Sequence, residues 1–337
     1  MNDKAQPDAR LLATLQKAGL VDPAESPVFD ALTGGVSSDI WKVTTSRGSF
    51  CVKRALSKLK VAADWQAPVE RNQYEVAWFR VVHAILPEAV PEVLLHDPDE
   101  MLCAMSYLPP EDHRLWKTEL RDGWANPRDA AEVGRRLGRI HAATANKPDV
   151  AALFWPNDIF HAIRLEPYLE ATALAHPDLR DTLFALSRRT GEIHRTMVHG
   201  DVSPKNILLG PNGPVFLDAE CACMGDPAFD LAFCLNHLLL KCLWNPAARA
   251  DFLACFAALS TAYLAEVDWE PADALEARAA SLLPGLLLAR VDGKSPAEYL
   301  TDDTQRAHVR RCARALLHSP PARLSDVSTA WNKELDA

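Results

Sequence analysis

Residues 198–220 read VHGDVSPKNILLGPNGPVFLDAE, and no other stretch of the chain narrows its fold as much. Two short apolar runs with loops between them predict a pair of short strands folded back on one another. Three oxygen-bearing side chains punctuate the stretch: Asp201, Asn206 five residues later, and Asp218 twelve residues after that. A hairpin returns its second strand beside its first, so Asp218 comes back near Asn206 and Asp201. Mg2+ is a hard cation that takes oxygen ligands and usually borrows more from phosphate. Asn206 and Asp218 suit that metal, and Asp201 suits a base that accepts or orients a hydroxyl proton. The alternative is a turn-rich hairpin with scattered polar residues, and the rest of the chain decides between the two.

The chain changes character along its length. Residues 9–20 carry apolar positions at helical spacing. Residues 29–56 read as strand, glycine turn, strand, Arg47-Gly48 turn and strand, the second turn being of the kind that closes a tight hairpin. A helix follows over 68–83, with Pro68 in its first turn, and then a hairpin over 91–108 that turns at Pro98-Asp99. Beyond residue 110 the pattern is helical, over 129–144, 159–172, 177–197, 228–243, 247–266, 273–290 and 303–318, where Pro320-Pro321 ends the last helix. The expected organisation is α+β in two lobes. Residues 1–105 form a small β-rich lobe with a five-stranded antiparallel sheet and one main helix, 106–110 a hinge, and 111–337 a larger helical lobe carrying the opening hairpin.

Bulk properties exclude some function classes. A length of 337 residues suits two lobes better than one core, and 48% hydrophobic with 24% charged residues is ordinary for a globular protein. The net charge of −9 argues against nucleic acid or an anionic membrane as partner. The polar N-terminus shows no signal peptide, and no apolar run reaches the roughly 18 residues of a membrane span, so the cytoplasm is the expected compartment. The eight cysteines then read as thiols, with Cys221 and Cys223 as small packing residues.

The motif H-G-D-x-x-x-x-N followed by an Asp on the next strand resembles the catalytic loop of the protein-kinase-like fold. HGDVSPKNILL with FLDAECACMGDPAFDLA is similar to the branch of aminoglycoside phosphotransferases and choline kinases, where Asp-x-Glu-like sequences replace Asp-Phe-Gly and a G-D-P-x-x-D-L segment follows. The resemblance runs from about residue 28 to 320 and is strongest over 198–232. It implies ATP, or GTP, as phosphoryl donor, with Mg2+ on Asn206 and Asp218 and Asp201 as the catalytic carboxylate. It implies that Gly34 and Gly35 let backbone N–H groups approach the phosphates, that Lys53 contacts the α- and β-phosphates, and that Glu70 or Glu75 steadies Lys53. Glu75 better matches the family's Glu-x-x-x-Leu pattern. Backbone groups of Ser106 and Leu108 would bind the base, with Met105 bordering the pocket.

The same resemblance makes His199 a brace of the catalytic loop, Asp226 a helix cap, and Asp230 a tie from that helix to the loop's backbone. Glu220 faces the metal site or the substrate, or else only makes a supporting hydrogen bond behind them; Ser203 and Lys205 lie where a γ-phosphate would be held, with solvent the alternative for Lys205. The stripe of Arg over 306–314 reads as a solvated helix face, and Trp41 and Trp65 as packing residues. The implied activity is an ATP-dependent phosphotransferase acting on a small-molecule hydroxyl, as a monomer or homodimer. Acceptor contacts are expected from 160–170 and 280–300, with Asp302 and Asp303 the acidic residues nearby. The rivals are a protein kinase and a nucleotide-binding pseudokinase. Only seven residues separate Asp218 from Asp226, too few for a peptide platform, and every catalytic position is present.

Overall fold

The computed structural model describes residues 7–32, 38–55, 71–154 and 158–337. The small lobe is built on a five-stranded sheet of order β1-β2-β3-β5-β4, from Val28–Ala31 (β1), Ser38–Thr45 (β2), Gly48–Ala55 (β3), Val93–Asp97 (β4) and Leu102–Ser106 (β5), with every pairing antiparallel. Successive side chains of a strand alternate between faces. Phe50 and Val52 of β3 therefore share one face with Trp41, Val43, Leu102 and Ala104, beneath Leu11 and Leu15 of helix Ala9–Lys17. Lys53 and its cross-strand partner Cys103 take the other face. Cys103 and Met105 pack there with Val76 and Phe79 of helix Arg71–Ile85, so Lys53 is carried into a covered space.

The large lobe is organised around helix Pro227–Trp244, in which every residue from Pro227 to Leu243 is buried. A helix that is apolar on all sides belongs inside others. Asp226 caps it, with Ala228 N–H donating to Oδ1 at 3.1 Å, and Pro227 takes the first helical position. Helix Pro127–Thr144 lies against helix Arg249–Leu264 at a separation that only glycine allows: a Cβ on Gly134 would sit 2.2 Å from the Leu259 carbonyl oxygen. No helix among the described residues is long and apolar enough to cross a membrane.

Helices expected over 129–144, 228–243, 247–266, 273–290 and 303–318 are present with ends shifted by two residues or fewer. The helix expected over 177–197 stops at Glu192, and Thr196–Val198 instead forms a strand paired with Cys223–Gly225. A short buried apolar run has no period that separates strand from helix, and here the pairing partner decides. The segment expected as helix over 159–172 is helical, but His161–Glu170 takes the wider π spacing around Pro167, which cannot donate an N–H to a helical ladder. Within the opening segment Ile207–Gly210 and Gly213–Phe216 pair as the expected hairpin, which gains Arg114–Leu115 as a third strand, while Thr196–Val198 and Cys223–Gly225 make a separate sheet. A last helix, Leu324–Glu334, follows Pro320-Pro321 and was not expected. Its buried Trp331 donates Nε1–H to the Leu239 carbonyl at 3.0 Å.

Candidate active site

Strand Thr196–Val198 leads into His199-Gly200-Asp201, and the turn is held by hydrogen bonds. The N–H groups of His199 and Gly200 donate to Asp230 Oδ2 and Oδ1 at 2.7 and 2.8 Å. Asp201 N–H donates to His199 Nδ1 at 3.1 Å, so Nε2 carries the proton and donates it to the Leu217 carbonyl at 3.0 Å. Burial holds His199 below its ordinary pKa and keeps it neutral, as those two bonds require. His199 and Asp230 thus make the bracing contacts expected of them. Asp230 is itself buried against His141, whose other ring nitrogen meets the Tyr263 hydroxyl at 2.7 Å.

Gly200 is the pivot of this turn. Its φ is +75°, and a Cβ there would lie 2.6 Å from the Cys221 carbonyl oxygen. Gly200→Ala should lower stability by about 1–3 kcal/mol, from the left-handed backbone and the clash together. Thermal unfolding measures this directly, and an unchanged midpoint would contradict the account.

Asp201 is 5% exposed and its Oδ2 is surrounded. Arg164 Nη2 lies at 2.9 Å, Lys205 Nζ at 3.1 Å and Asn206 Nδ2 at 2.9 Å. Burial would raise its pKa, but the charges of Arg164 and Lys205 outweigh burial and hold the carboxyl below its usual range. Asp201 is therefore an anion with fixed direction. Asn206 Nδ2 also donates to the Asp201 carbonyl at 3.0 Å, which commits its nitrogen and leaves Oδ1 as its acceptor for another ligand. Arg164 comes from the π-helical segment and is further held by the carbonyls of Gly200 and Ile163. Sequence reasoning placed acceptor contacts in this region but did not single out Arg164, because nothing local marks a residue whose partner lies 37 positions away.

On the other side stands Lys53, 4% exposed, with three carboxylates. Asp218 Oδ1 lies 2.6 Å from its ammonium, Glu220 Oε1 2.7 Å and Glu75 Oε1 2.9 Å. Burial opposes the charge on Lys53, and the three carboxylates overcome that and hold the ammonium well above its ordinary pKa. Burial beside two further carboxylates pushes Glu75 up to about 8 despite Lys53, while Lys53 keeps Asp218 well below the usual carboxylate range. Glu220 is the member that the sequence left open. From the large lobe it reaches two small-lobe residues, accepting from Ser38 Oγ at 3.1 Å and from Arg71 Nε at 3.1 Å. Asp218 has φ +64°, a conformation uncommon outside glycine that Asp tolerates better than most residues.

Gly34, Gly35, Glu70, Trp65 and Pro68 lie outside the described residues. Met105 pairs across from Cys51 and so shares the Lys53 face. Ser106 donates its N–H to the Glu92 carbonyl at 2.9 Å, which leaves its carbonyl as the backbone group to offer a base. Leu108 is half-buried two residues on. Trp41, Cys221 and Cys223 are buried, as packing residues should be. The Arg stripe is a solvated face as expected, and it is ion-paired as well: Arg310 and Arg314 pair with Asp292 and Asp178, and Arg311 with Glu334.

Asp201, Ser203, Lys205, Asp218 and Glu220 line one cavity of about 490 Å³. Residues from both stretches expected to meet an acceptor border it, Ile163, Arg164 and Tyr168 from one and Arg290 and Ser295 from the other. Asp302 does not border it; it caps helix Asp303–His318, accepting from Thr304 N–H at 2.6 Å.

Comparison with known proteins adds to this geometry. The sequence model described as the phosphotransferase enzyme family matches residues 28–275. The chain belongs to this family. Among curated relatives, methylthioribose kinase of Pectobacterium atrosepticum is 25% identical over 257 residues, covering 67% of this chain and 63% of that protein. Methylthioribose kinase of Klebsiella pneumoniae subsp. pneumoniae is 24% identical over 254 residues with the same coverage. The chain thus spans less than two thirds of the length of these relatives. Among solved structures, a choline/ethanolamine kinase family protein from Mesorhizobium loti superposes with a TM-score of 0.54 at 14% identity, over 95% of this chain and 98% of that one. An amicoumacin kinase in complex with AMP-PNP, Ca2+ and Ami also gives 0.54 at 14% identity, over 94% of this chain and 96% of that one. These structures show the two-lobed kinase-like fold of this family, with its small antiparallel sheet and its helical lobe.

Proposed function

We propose that this phosphotransferase-family protein moves the γ-phosphoryl group of ATP to a hydroxyl of a small molecule. The observation that carries the reading is that an ionised Asp201 and the Asp218 carboxylate, itself paired with the buried Lys53, border the same cavity. Lys53, steadied by Glu75 and Glu220, is the charge that would meet the nucleotide phosphates. Asp201, pinned by Arg164, Lys205 and Asn206, would aim the acceptor hydroxyl at the γ-phosphorus. The acceptor oxygen forms the new P–O bond as the bond to the β,γ-bridging oxygen breaks. ADP leaves with that bonding pair, and the hydroxyl proton departs by way of Asp201. Transfer of this kind asks mainly for positioning and charge neutralisation, which these residues supply.

A divalent cation fits the donors present. Asn206 Oδ1 and the Asp218 carboxylate are hard oxygen donors, and Asp218 borders the cavity from which phosphate oxygens could complete the shell, which suits Mg2+. Among the described residues no group of three or more His, Cys, Asp or Glu forms a cage of its own, so the ion would be shared with the nucleotide. Bound there, Mg2+ would neutralise phosphate charge. The AMP-PNP and Ca2+ of the amicoumacin kinase support a nucleoside triphosphate with a divalent cation. A small acceptor is favoured over a peptide because residues 219–225, between Asp218 and the next helix, are all buried.

The test is ADP release by the purified protein with MgATP across small hydroxyl compounds, including methylthioribose, choline, ethanolamine and an aminoglycoside. Acceptor-dependent ADP is the expected result. No ADP with any acceptor, together with tight MgATP binding, would replace this reading with a pseudokinase.

Arg164 offers a sharper check on the role of Asp201. Arg164→Ala should lower kcat by roughly 10–100-fold, because the carboxylate loses its direction. Loss of that positive charge also raises the Asp201 pKa, so the acid limb of the kcat profile should move to higher pH, and Arg164→Lys should move it part of the way back. A drop in rate without any displacement of the limb would assign Arg164 to folding alone.

A further inference from the structure

The cavity that holds Asp201 has a second wall, built by helix Pro227–Trp244, helix Ala272–Asp292 and the chain just after it. This wall is cationic. Lys241 is 1% exposed, with its Nζ 3.9 Å from the centre of the Trp244 ring and 4.0 Å from that of Tyr299. Arg290 is 7% exposed and reaches two neutral hydroxyls, Tyr168 at 3.3 Å and Ser295 at 3.1 Å, along with the Ser295 carbonyl. Its Nε is buried with no hydrogen-bond partner, as is His237 Nε2 beside it on the same wall. Among the described residues neither Lys241 nor Arg290 has a carboxylate at ion-pair distance. Glu298, the carboxylate on this wall, is engaged by Lys117.

Buried charge is costly unless it is paired. Burial, with Lys117 and Arg290 close by, outweighs the more distant Glu298 and pushes the Lys241 ammonium down to about 7. Burial and the same cations keep His237 neutral. Two cations and an orphaned donor on one cavity, with Glu298 in reach but not at ion-pair distance from either, are therefore arranged for a closer counter-ion than the chain provides. The aromatic pair Trp244 and Tyr299, stacked with centroids 4.4 Å apart, would suit a quaternary ammonium, but Lys241 already occupies that position.

We propose that the acceptor is a hydroxyl compound bearing an anionic group, a carboxylate or a phosphate ester, which Lys241 and Arg290 bind while Asp201 holds the hydroxyl. This rests on the kinase reading above for the hydroxyl and on the second wall alone for the charge. A wall with excess positive charge selects against choline and against polycationic aminoglycosides.

The test uses the full chain and reads binding separately from chemistry. Thermal unfolding is followed with glycerate, gluconate and ribose 5-phosphate, each against its neutral parent, glycerol, glucose or ribose, and with choline. At least one anionic compound should raise the wild-type midpoint more than its parent does, and the responding series names carboxylate or phosphate as the source. That shift should vanish in Lys241→Met, which keeps the length of the side chain, and in Arg290→Gln. With the stabilising compound as acceptor, each substitution should raise its KM at least about tenfold, with a much smaller change in kcat and in the KM for ATP. A shift equal to the parent's, a shift that survives both substitutions, or no shift from any anionic compound overturns the anionic acceptor, whatever the kinase assay shows. An anion-dependent shift with no ADP release in the wild type supports the anion site and overturns the kinase reading.

Discussion

Asp201→Asn should remove most turnover and leave MgATP binding nearly intact. The substitution keeps the shape of the side chain but replaces the charged oxygen that faces Arg164, Lys205 and the cavity. A positioned base of this type contributes about 10²–10⁴-fold, and a loss in that range is the expected result. The nucleotide groups, Lys53 and Asp218, are untouched, so the dissociation constant for MgATP should hardly move. Stability should fall, because a buried Arg164 loses its counter-ion, yet its hydrogen bonds to the Gly200 and Ile163 carbonyls remain and the fold should persist. Single-turnover ADP formation measured beside nucleotide binding separates these effects. Turnover within tenfold of the wild type would remove Asp201 from its proposed role.

Lys53→Met should act on both stability and activity, and the two effects can be separated. Loss of the ammonium leaves Glu75, Asp218 and Glu220 facing one another, a buried-pair breakage that costs about 3–5 kcal/mol. With the cation gone, the Glu75 carboxyl, already raised with Lys53 present, rises further above its unfolded pKa. A raised carboxyl pKa contributes stability at low pH that is lost as pH rises through the folded value. Glu75 already stands at about 8 with Lys53 present, so the variant's deficit in melting midpoint should be smaller near pH 5 than near pH 8. Adding Glu75→Gln should recover part of the stability at pH 8 and none of the turnover, since the phosphates still lack their cation. Recovered turnover in the double variant would show that Lys53 acts on folding and not on the nucleotide.

The residues that could be read from sequence are those whose partners are close along the chain. Asp201 and Asn206 sit in one loop, five positions apart, and meet at 2.9 Å. Asp226 caps the helix it precedes, and Asp230, one turn further on, reaches back to the His199 and Gly200 amides. Lys53 was placed by its strand's position one hairpin after the glycine turn and by family resemblance, and its partner Glu75 lies 22 positions away.

Distance along the chain hid the rest. Glu220 completes the Lys53 cluster from 167 positions away, and Arg164 clamps Asp201 from the π-helical segment. Lys241, in the last turn of a buried helix, has no sequence mark of a ligand-binding residue. Its role follows from burial among Trp244, Tyr299 and Arg290 without a carboxylate. Thr196–Val198 became a strand because Cys223–Gly225 was there to pair with it. Turns, caps and side-chain spacing are properties of neighbours in the chain, so the sequence alone determined the two-lobed family fold and the Asp201–Asn206–Asp218 loop. Which charges are buried, and whether each meets a partner, depends on segments brought together by packing, and only the tertiary structure decided that.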